Sequence, residues 1–389
     1  MIRLTAVLTL LVACASPSTR DPADLACTSP APPDDPLVDS LQILLDDRVE
    51  RGLPGISLAV DRGDGEPIHL ASGFADLATA TPLEPCHLTR AGSINKTVNA
   101  VVVLQLAEEG TWNLDDRLVD HLPAGTADGI ANAEHATLRQ ALQHATGMPN
   151  WIHSLYFQTA SLDDLDRAWS ADELLRFARA MGPAFPPGED VAYSNTNTLL
   201  LGLAIEHRTG EPLADVYRAR VFEPLGLHRT RFAAPDPVPD DLIAGYVDIR
   251  SDGRLLDATF YSGWDVHADG GLLSHPGDLA LLMRGANDGT LLDADSLAAM
   301  HDARLPSSVD PGFYETGYGL GAFRIETPEG TWWMHSGDAI GYWATAAWRE
   351  EDGLAVSWSV NGNYGTLDPL FSSKETYEAV FEAIGPPAR

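Results

Sequence analysis

The sequence predicts an α+β fold of two lobes. One is an antiparallel sheet flanked by helices from the two ends of the chain, and the other is a mostly helical lobe inserted between them. Three observations predict it. Strand-like segments cluster near the start, at 56–71, and near the end, at 318–360. Helical spacing dominates the middle of the chain. A segment of helical period precedes the first strands and another follows the last, so both ends can cover one shared sheet. A functional site is expected in the cleft between the lobes.

From Leu37 to Arg51, apolar residues recur at Leu37, Leu41, Leu44, Leu45 and Val49, the spacing of a helix that Pro54 and Gly55 stop. Ile56–Val60 and Ile68–Ala71, separated by Arg62-Gly63-Asp64-Gly65, read as a hairpin. A helix starting at Ser93 and ending near Gly110 is apolar nearly all round, the pattern of a buried helix. Helices are then expected at Leu138–Leu142, Asp172–Met181, Thr198–His207 and Leu213–Phe222, with weaker ones at Leu279–Arg284 and Ser296–His301. Tyr318–Ile325 and Thr331–His335 read as strands. Tyr342–Trp348 and Leu354–Val360 pair across Glu350–Gly353, and Phe371–Ile384 closes the chain as a helix. The sheet lobe spans about 37–108 and 272–389, the helical lobe about 109–271.

The chain has 389 residues, 44% of them apolar, enough for a large core. A formal net charge of −31 argues against nucleic acid as a partner, which needs a basic face. It also disfavours anionic substrates at long range. At the N-terminus, Arg3 precedes a short apolar run from Leu4 to Ala13, a secretory signal too short to span a bilayer. Residues 14–36 are rich in Pro, Ser, Thr, Asp and Ala, the composition of a flexible tether. In an exported, oxidising setting, Cys27 and Cys86 are expected to form a disulfide tying the tether to the body.

The chemistry centres on Ser93 and Lys96. Three residues apart at a helix start, they share a face. The chain has only two lysines, Lys96 and Lys374. A lysine in the first turn of a buried helix is partly stripped of water, which disfavours its charged form and makes it a base beside a nucleophile. The blander reading is an N-capping serine and a snorkelling lysine. Two further stretches carry polar groups suited to acyl transfer. Tyr193-Ser194-Asn195 offers a hydroxyl to relay protons and an amide to orient a substrate. His335-Ser336-Gly337 ends a strand, where a glycine lets backbone approach a ligand.

In this order and at these separations, Ser93-x-x-Lys96, Tyr193-x-Asn195 and His335-x-Gly337 resemble the three motifs of the serine β-lactamase and penicillin-binding-protein superfamily. The form is nearest its class C, D-aminopeptidase, D-alanyl-D-alanine carboxypeptidase and family VIII esterase branch. Leu138–Pro149, Glu223–Leu227 and Gly270–Ser274 resemble connecting stretches of the same family, and the resemblance runs from Leu37 to Ile384. Leu11-Val12-Ala13-Cys14 resembles the bacterial lipobox, which implies removal of residues 1–13 and lipidation of Cys14. The protein is then expected in the bacterial envelope, anchored to a membrane by lipid, with a signal peptide cut nearby and secretion as the alternative.

The resemblance implies a β-lactamase-like fold and an acyl-enzyme mechanism without metal or cofactor, on a small-molecule or peptide acyl substrate. Ser93 is the nucleophile, Lys96 its base, and Tyr193 the proton relay. Asn195, His335, Ser336, Gly337 and the backbone N–H of Asp338 are expected to bind substrate, with His335 helping to set the local charge. D-Ala peptidase, carboxylesterase and β-lactamase activities are all compatible, as is a non-catalytic binding protein of the same fold. Position 338 departs from the family's small residue, setting a carboxylate beside the oxyanion hole, and His335 is a weaker cation than lysine. Both tilt the reading toward neutral or cationic esters and amides. Trp151, Trp332, Trp333, Tyr342 and Trp343 suggest an aromatic-lined cleft, of which only one of Trp332 and Trp333 can be part because they point to opposite faces of a strand.

No Gly-x-Ser-x-Gly, P-loop or His-Glu-x-x-His motif is present. Asp265-x-His267-x-Asp269 has metal-ligand residue types but sits in the family loop before Gly270, so no metal is assigned to it. Gly317-x-Gly319-x-Gly321 reads as close backbone packing on a strand.

Overall fold

The strands of the two chain ends meet in one sheet. A computed structural model of the protein describes residues 25–63, 67–165, 167–233, 240–261, 267–307, 314 and 316–387. Near the N-terminus lie α1 (Pro36–Glu50), β1 (Gly55–Asp61), β2 (Ile68–Asp76), β3 (Thr81–Pro82) and β4 (Thr89–Arg90). Helix α2 (Asn95–Glu108) follows, then α3 (Leu138–Leu142), α4 (Leu155–Asp163), α5 (Ala171–Arg179), α6 (Asn195–Thr209) and α7 (Leu213–Tyr217). Short strands β5 (Arg231–Phe232), β6 (Tyr246–Val247), β7 (Leu256–Asp257) and β8 (Leu272–Ser274) lead to α8 (Pro276–Asn287) and α9 (Ala294–Met300). The chain closes with β9 (Thr316–Tyr318), β10 (Phe323–Thr327), β11 (Gly330–Ala339), β12 (Tyr342–Arg349), β13 (Ala355–Val360), β14 (Gly362–Asn363) and α10 (Lys374–Ile384). Eight strands form the main sheet in the order β3-β2-β1-β13-β12-β11-β10-β9, antiparallel throughout.

Both faces of the sheet are covered, and strand alternation sends neighbouring residues to opposite ones. Trp332 turns to one face and stacks on Phe381 of α10, with ring centroids 4.2 Å apart. Its neighbour Trp333 turns to the other and stacks on His301 at 4.3 Å. On the first face, α1 and α10 close over Leu41, Leu58, Val356 and Trp358. On the second, α8 packs on β1, β12 and β13 and brings α2 with it. Helix α2 is buried from Asn95 to Leu104. Burying each of its valines and leucines is worth roughly 1.5–3 kcal/mol, so this helix is fixed by its surroundings rather than by its caps.

Several boundaries differ from the sequence reading. The expected strand Tyr318–Ile325 is two strands. Gly321, at φ +92°, turns the chain between β9 and β10, and a Cβ there would sit 2.4 Å from Ala100 Cβ on α2. Gly319 likewise packs against the carbonyl of Met300, 2.2 Å from where its Cβ would be. The close packing read from the glycines is present, and the continuous strand is not. Helix α6 starts at Asn195 rather than Thr198, and α7 gives way at Arg218 to a single π-helical turn. Helix α4 was not anticipated, because Leu155–Asp163 has almost no helical hydrophobic asymmetry and leaves Leu155 and Tyr156 exposed.

The tether is also shorter than its composition suggests. Leu25 is buried, its carbonyl meets His87 Nε2 at 2.8 Å, and Ser29 accepts from the Cys86 N–H at 3.1 Å. Cys27 and Cys86, 59 residues apart, are joined by a disulfide that pins this segment to the body. Closing a loop of that length in the unfolded chain stabilises the fold by up to about 4 kcal/mol. Residues 1–24, including the signal segment and Cys14, lie outside the described residues. Among the described residues, no helix is long and apolar enough to cross a membrane.

Candidate active site

The turn that carries Ser93 packs where the sheet edge has no further strand. β10 begins at Phe323, which pairs with Met334 of β11. From His335 onward that edge of β11 has no strand partner, and the 3-10 turn Gly92–Ile94 packs against it. The fit depends on two glycines. A Cβ on Gly337 would fall 1.8 Å from the Ala91 carbonyl oxygen and 2.8 Å from Ser93 N. A Cβ on Gly92, which sits at φ +48°, would likewise fall 3.0 Å from Asp338 N. The backbones of Ser93 and Asp338 therefore run side by side.

Ser93 sits in this turn, half-buried, and Lys96 is the second residue of α2, with 2% of its surface exposed. The Lys96 Nζ is 2.8 Å from Ser93 Oγ and also donates to the backbone carbonyl of Asp269. It lies 4.9 Å from the centre of the Tyr193 ring. The amine thus points into the protein, among a hydroxyl, a carbonyl and an aromatic face. Asn195 opens α6, takes its place through a bond from its N–H to Asn150 Oδ1 at 3.2 Å, and leaves its own Oδ1 without a hydrogen-bond partner among the described residues.

His335 is buried against this group, with its ring centre 6.1 Å from that of Tyr193. Its Nδ1 is 2.6 Å from the Ser336 carbonyl, which can only accept, so Nδ1 carries the proton. Nε2 is then free to accept from the Tyr318 hydroxyl at 3.1 Å. Burial first, and the Lys96 charge second, lower the His335 pKa to about 3. His335 is therefore neutral, a correction to the expectation that it contributes charge. Ser336, one residue along, turns to the opposite face beside Tyr377 of α10 and does not share the His335 side. Asp338 also turns that way, accepts from Asn363 Nδ2 at 2.8 Å, and is exposed. Burial and the neighbouring Asp368 push its carboxyl up to about 7 against the Asn363 bond. The water that reaches Asp338 works against that rise.

Sequence reasoning missed His144. It is buried at φ +55°, between the rings of Tyr193 (4.4 Å) and Tyr318 (4.8 Å). Its Nδ1 accepts from Ser194 N at 3.2 Å and is 3.0 Å from Asn197 Nδ2. Burial, Lys96 and His335 hold its pKa well below that of a free imidazole. It braces the Tyr193 segment as a neutral ring. The signal that could have found it is its place in the stretch Leu138–Pro149.

The aromatic cleft is not there as expected. Trp151, Trp332, Trp333 and Tyr342 are fully buried core residues, and Trp343 packs on Phe371. The aromatic walls are Tyr193, Tyr318 and Phe323 instead, with Tyr193 and Phe323 stacked at 6.2 Å. Asp265 lies outside the described residues. His267 Nε2 meets the Trp169 carbonyl at 2.6 Å, and no metal-ligand cluster occurs among the described residues.

Fold and site together define a class: a two-lobe α+β protein with a serine hydroxyl paired to a buried lysine amine at the sheet edge. The chain belongs to the beta-lactamase family, whose model matches residues 41–373. It is 27% identical over 335 residues to penicillin-binding protein 4 of Amycolatopsis lactamdurans, covering 82% of this chain and 84% of that one. It is 32% identical over 197 residues to the esterase EstB of Burkholderia gladioli, about half of each chain (48% and 49%). Among solved structures, the D-amino acid amidase of Ochrobactrum anthropi SV3 superposes with a TM-score of 0.78 at 28% identity, covering 90% of this chain and 99% of that one. The D-stereospecific amidohydrolase of a Streptomyces species gives 0.76 at 27%, covering 87% and 99%.

Proposed function

We propose that the protein is a serine hydrolase that cleaves a neutral or cationic amide or ester through an acyl-enzyme. The observation that carries this reading is the 2.8 Å approach of a 2% exposed lysine amine to a half-buried serine hydroxyl. Ser93 Oγ attacks the substrate carbonyl while its proton passes to Lys96 Nζ. The developing oxyanion is met by the N–H groups of Ser93 and Asp338, whose backbones lie side by side. As the tetrahedral intermediate collapses, the bond to the leaving amine or alcohol breaks. That group takes a proton from Tyr193, replenished from Lys96. A water then attacks the acyl-serine by the reverse relay. Asn195, with its unpartnered Oδ1, is suited to orient a substrate amide.

Charge narrows the substrate. With His335 neutral, Lys96 is the one cation among the three motifs, and it is engaged with Ser93 and Asp269. Asp338, whose backbone flanks Ser93, adds an exposed carboxylate, with a second one, Asp368, acting on it. A substrate carboxylate, as in a β-lactam or a C-terminal D-Ala peptide, meets repulsion there. This supports D-amino acid amides and simple esters over β-lactams, in line with the amidase and esterase relatives. The chain is further proposed to be held in the bacterial envelope through lipid on Cys14.

The test is Ser93→Ala. The wild type is expected to take one fluorophosphonate per chain and to hydrolyse D-phenylalanine amide or p-nitrophenyl acetate. The variant is expected to lose both. Full turnover in the variant, or no labelling of the wild type, ends this reading; the latter result marks a non-catalytic binding protein.

A further inference from the structure

One buried group beside the site is used by none of these steps. Asp269 stands just before Gly270, and its backbone carbonyl receives the Lys96 amine and lies 3.5 Å from Ser93 Oγ. Its side chain is also inside the protein, at 5% exposure. Oδ1 has no hydrogen-bond partner of good geometry among the described residues, and neither has the Trp151 indole N–H, which faces it. A buried carboxyl left short of partners costs stability. Asn95 holds the same loop one residue earlier, donating 2.7 Å to the Ala268 carbonyl. The loop is thus anchored to the first turn of α2 by two separate bonds, and the carboxyl is held there at a cost.

We propose, resting on the hydrolase reading above, that Asp269 is a positioning residue for Lys96: its carbonyl fixes the amine, and its buried carboxylate is the counter-charge against which that amine takes the Ser93 proton. Burial raises the carboxyl's pKa, and Lys96 and His267 oppose the rise. The titratable groups around the pair come from every neighbouring element. His144 follows α3, Tyr193 precedes α6, Tyr217 lies on α7, His267 precedes β8 and His335 lies on β11. His144 and His335 are neutral, and Tyr217 is held well above its ordinary pKa by burial. Among the described residues, Asp269 is the carboxyl on which the Lys96 charge acts, and it is the counter-charge proposed for the ammonium that forms there.

The experiment is Asp269→Asn, near in shape and without charge, with Asp269→Ser as a second variant. The rate of fluorophosphonate labelling is measured from pH 5 to 9, with thermal melts alongside. An anion a few ångströms from an amine typically raises its pKa by about 1 unit or more. Its removal is therefore expected to move the acid limb of the labelling rate about 1 pH unit lower and to slow the plateau at least tenfold. An unmoved limb in a folded variant overturns the proposal, because a merely structural residue changes the plateau alone. If neither variant folds, the residue is structural and the proposal falls. Absence of labelling in the wild type is the separate failure of the hydrolase reading.

Discussion

Gly337→Ala is the substitution whose effect follows most directly from the geometry. The new Cβ would lie 1.8 Å from the Ala91 carbonyl oxygen, where real Cβ contacts essentially never fall below 3.0 Å, so at least 1.2 Å must be made up. Neither side yields easily. Ala91 is buried and its N–H is bonded to the Leu272 carbonyl at 2.8 Å, while β11 is paired with β12 through this region. The strand and the nucleophile's turn must therefore separate, and the Asp338 N–H moves away from Ser93. A misplacement of about 1 Å costs on the order of 100-fold in rate, and loss of one oxyanion donor about 100- to 1,000-fold. We expect kcat for p-nitrophenyl acetate to fall by about 100- to 1,000-fold, or about 3–4 kcal/mol of barrier. Overpacking costs about 1–3 kcal/mol of stability, a melting point lower by several degrees but a folded enzyme at 25 °C. Gly182→Ala, whose Cβ meets nothing within 4 Å, is the neutral control. A Gly337→Ala enzyme within threefold of wild type would refute the placement of β11 against the nucleophile.

Three other predictions concern charge and location. Asp338 ionises up to about 7, so its negative charge grows as pH rises from 6 to 8. An ammonium about 6 Å away gains about 0.7–3 kcal/mol depending on how much water intervenes, and the exposure of Asp338 favours about 1 kcal/mol, or fivefold. The p-nitroanilides of trimethylglycine and 3,3-dimethylbutyrate differ in one fixed charge at equal shape. Their kcat/KM ratio should rise toward pH 8 in the wild type and stay flat in Asp338→Asn; a ratio independent of both pH and this residue sinks the charge argument. The same shift has a stability sign. Unfolded, Asp338 ionises near 4, so between 4 and 7 the folded state binds more protons and stability falls as pH rises, a slope Asp338→Asn should remove. Finally, Cys14→Ala should move the protein from the membrane fraction to the soluble fraction of an expressing bacterium, and an unchanged distribution would count against the lipid anchor.

What the sequence determined by itself is what depends on period and on residue type. Leu37 to Val49 could be read as a helix, and 56–60 with 68–71 as a hairpin, because one-sided burial imprints a 3.6 or a 2.0 repeat. Ser93 and Lys96 could be paired because three residues on a helix is a fixed distance, and the order of three motifs pointed to the family. Tertiary structure alone decided the rest. Gly321 breaks a strand-like run because the turn must clear Ala100 on α2, a contact 221 positions away that leaves no local trace. Trp332 and Trp333 are core rather than cleft because the sheet is covered on both faces, which alternation cannot reveal. His335 is neutral because Tyr318 and the Ser336 carbonyl dictate its tautomer while burial removes the water a charge would need. And Asp269 acquires its place beside Lys96 only when the loop before β8 closes over α2, since the charge a residue carries is set by what folds around it.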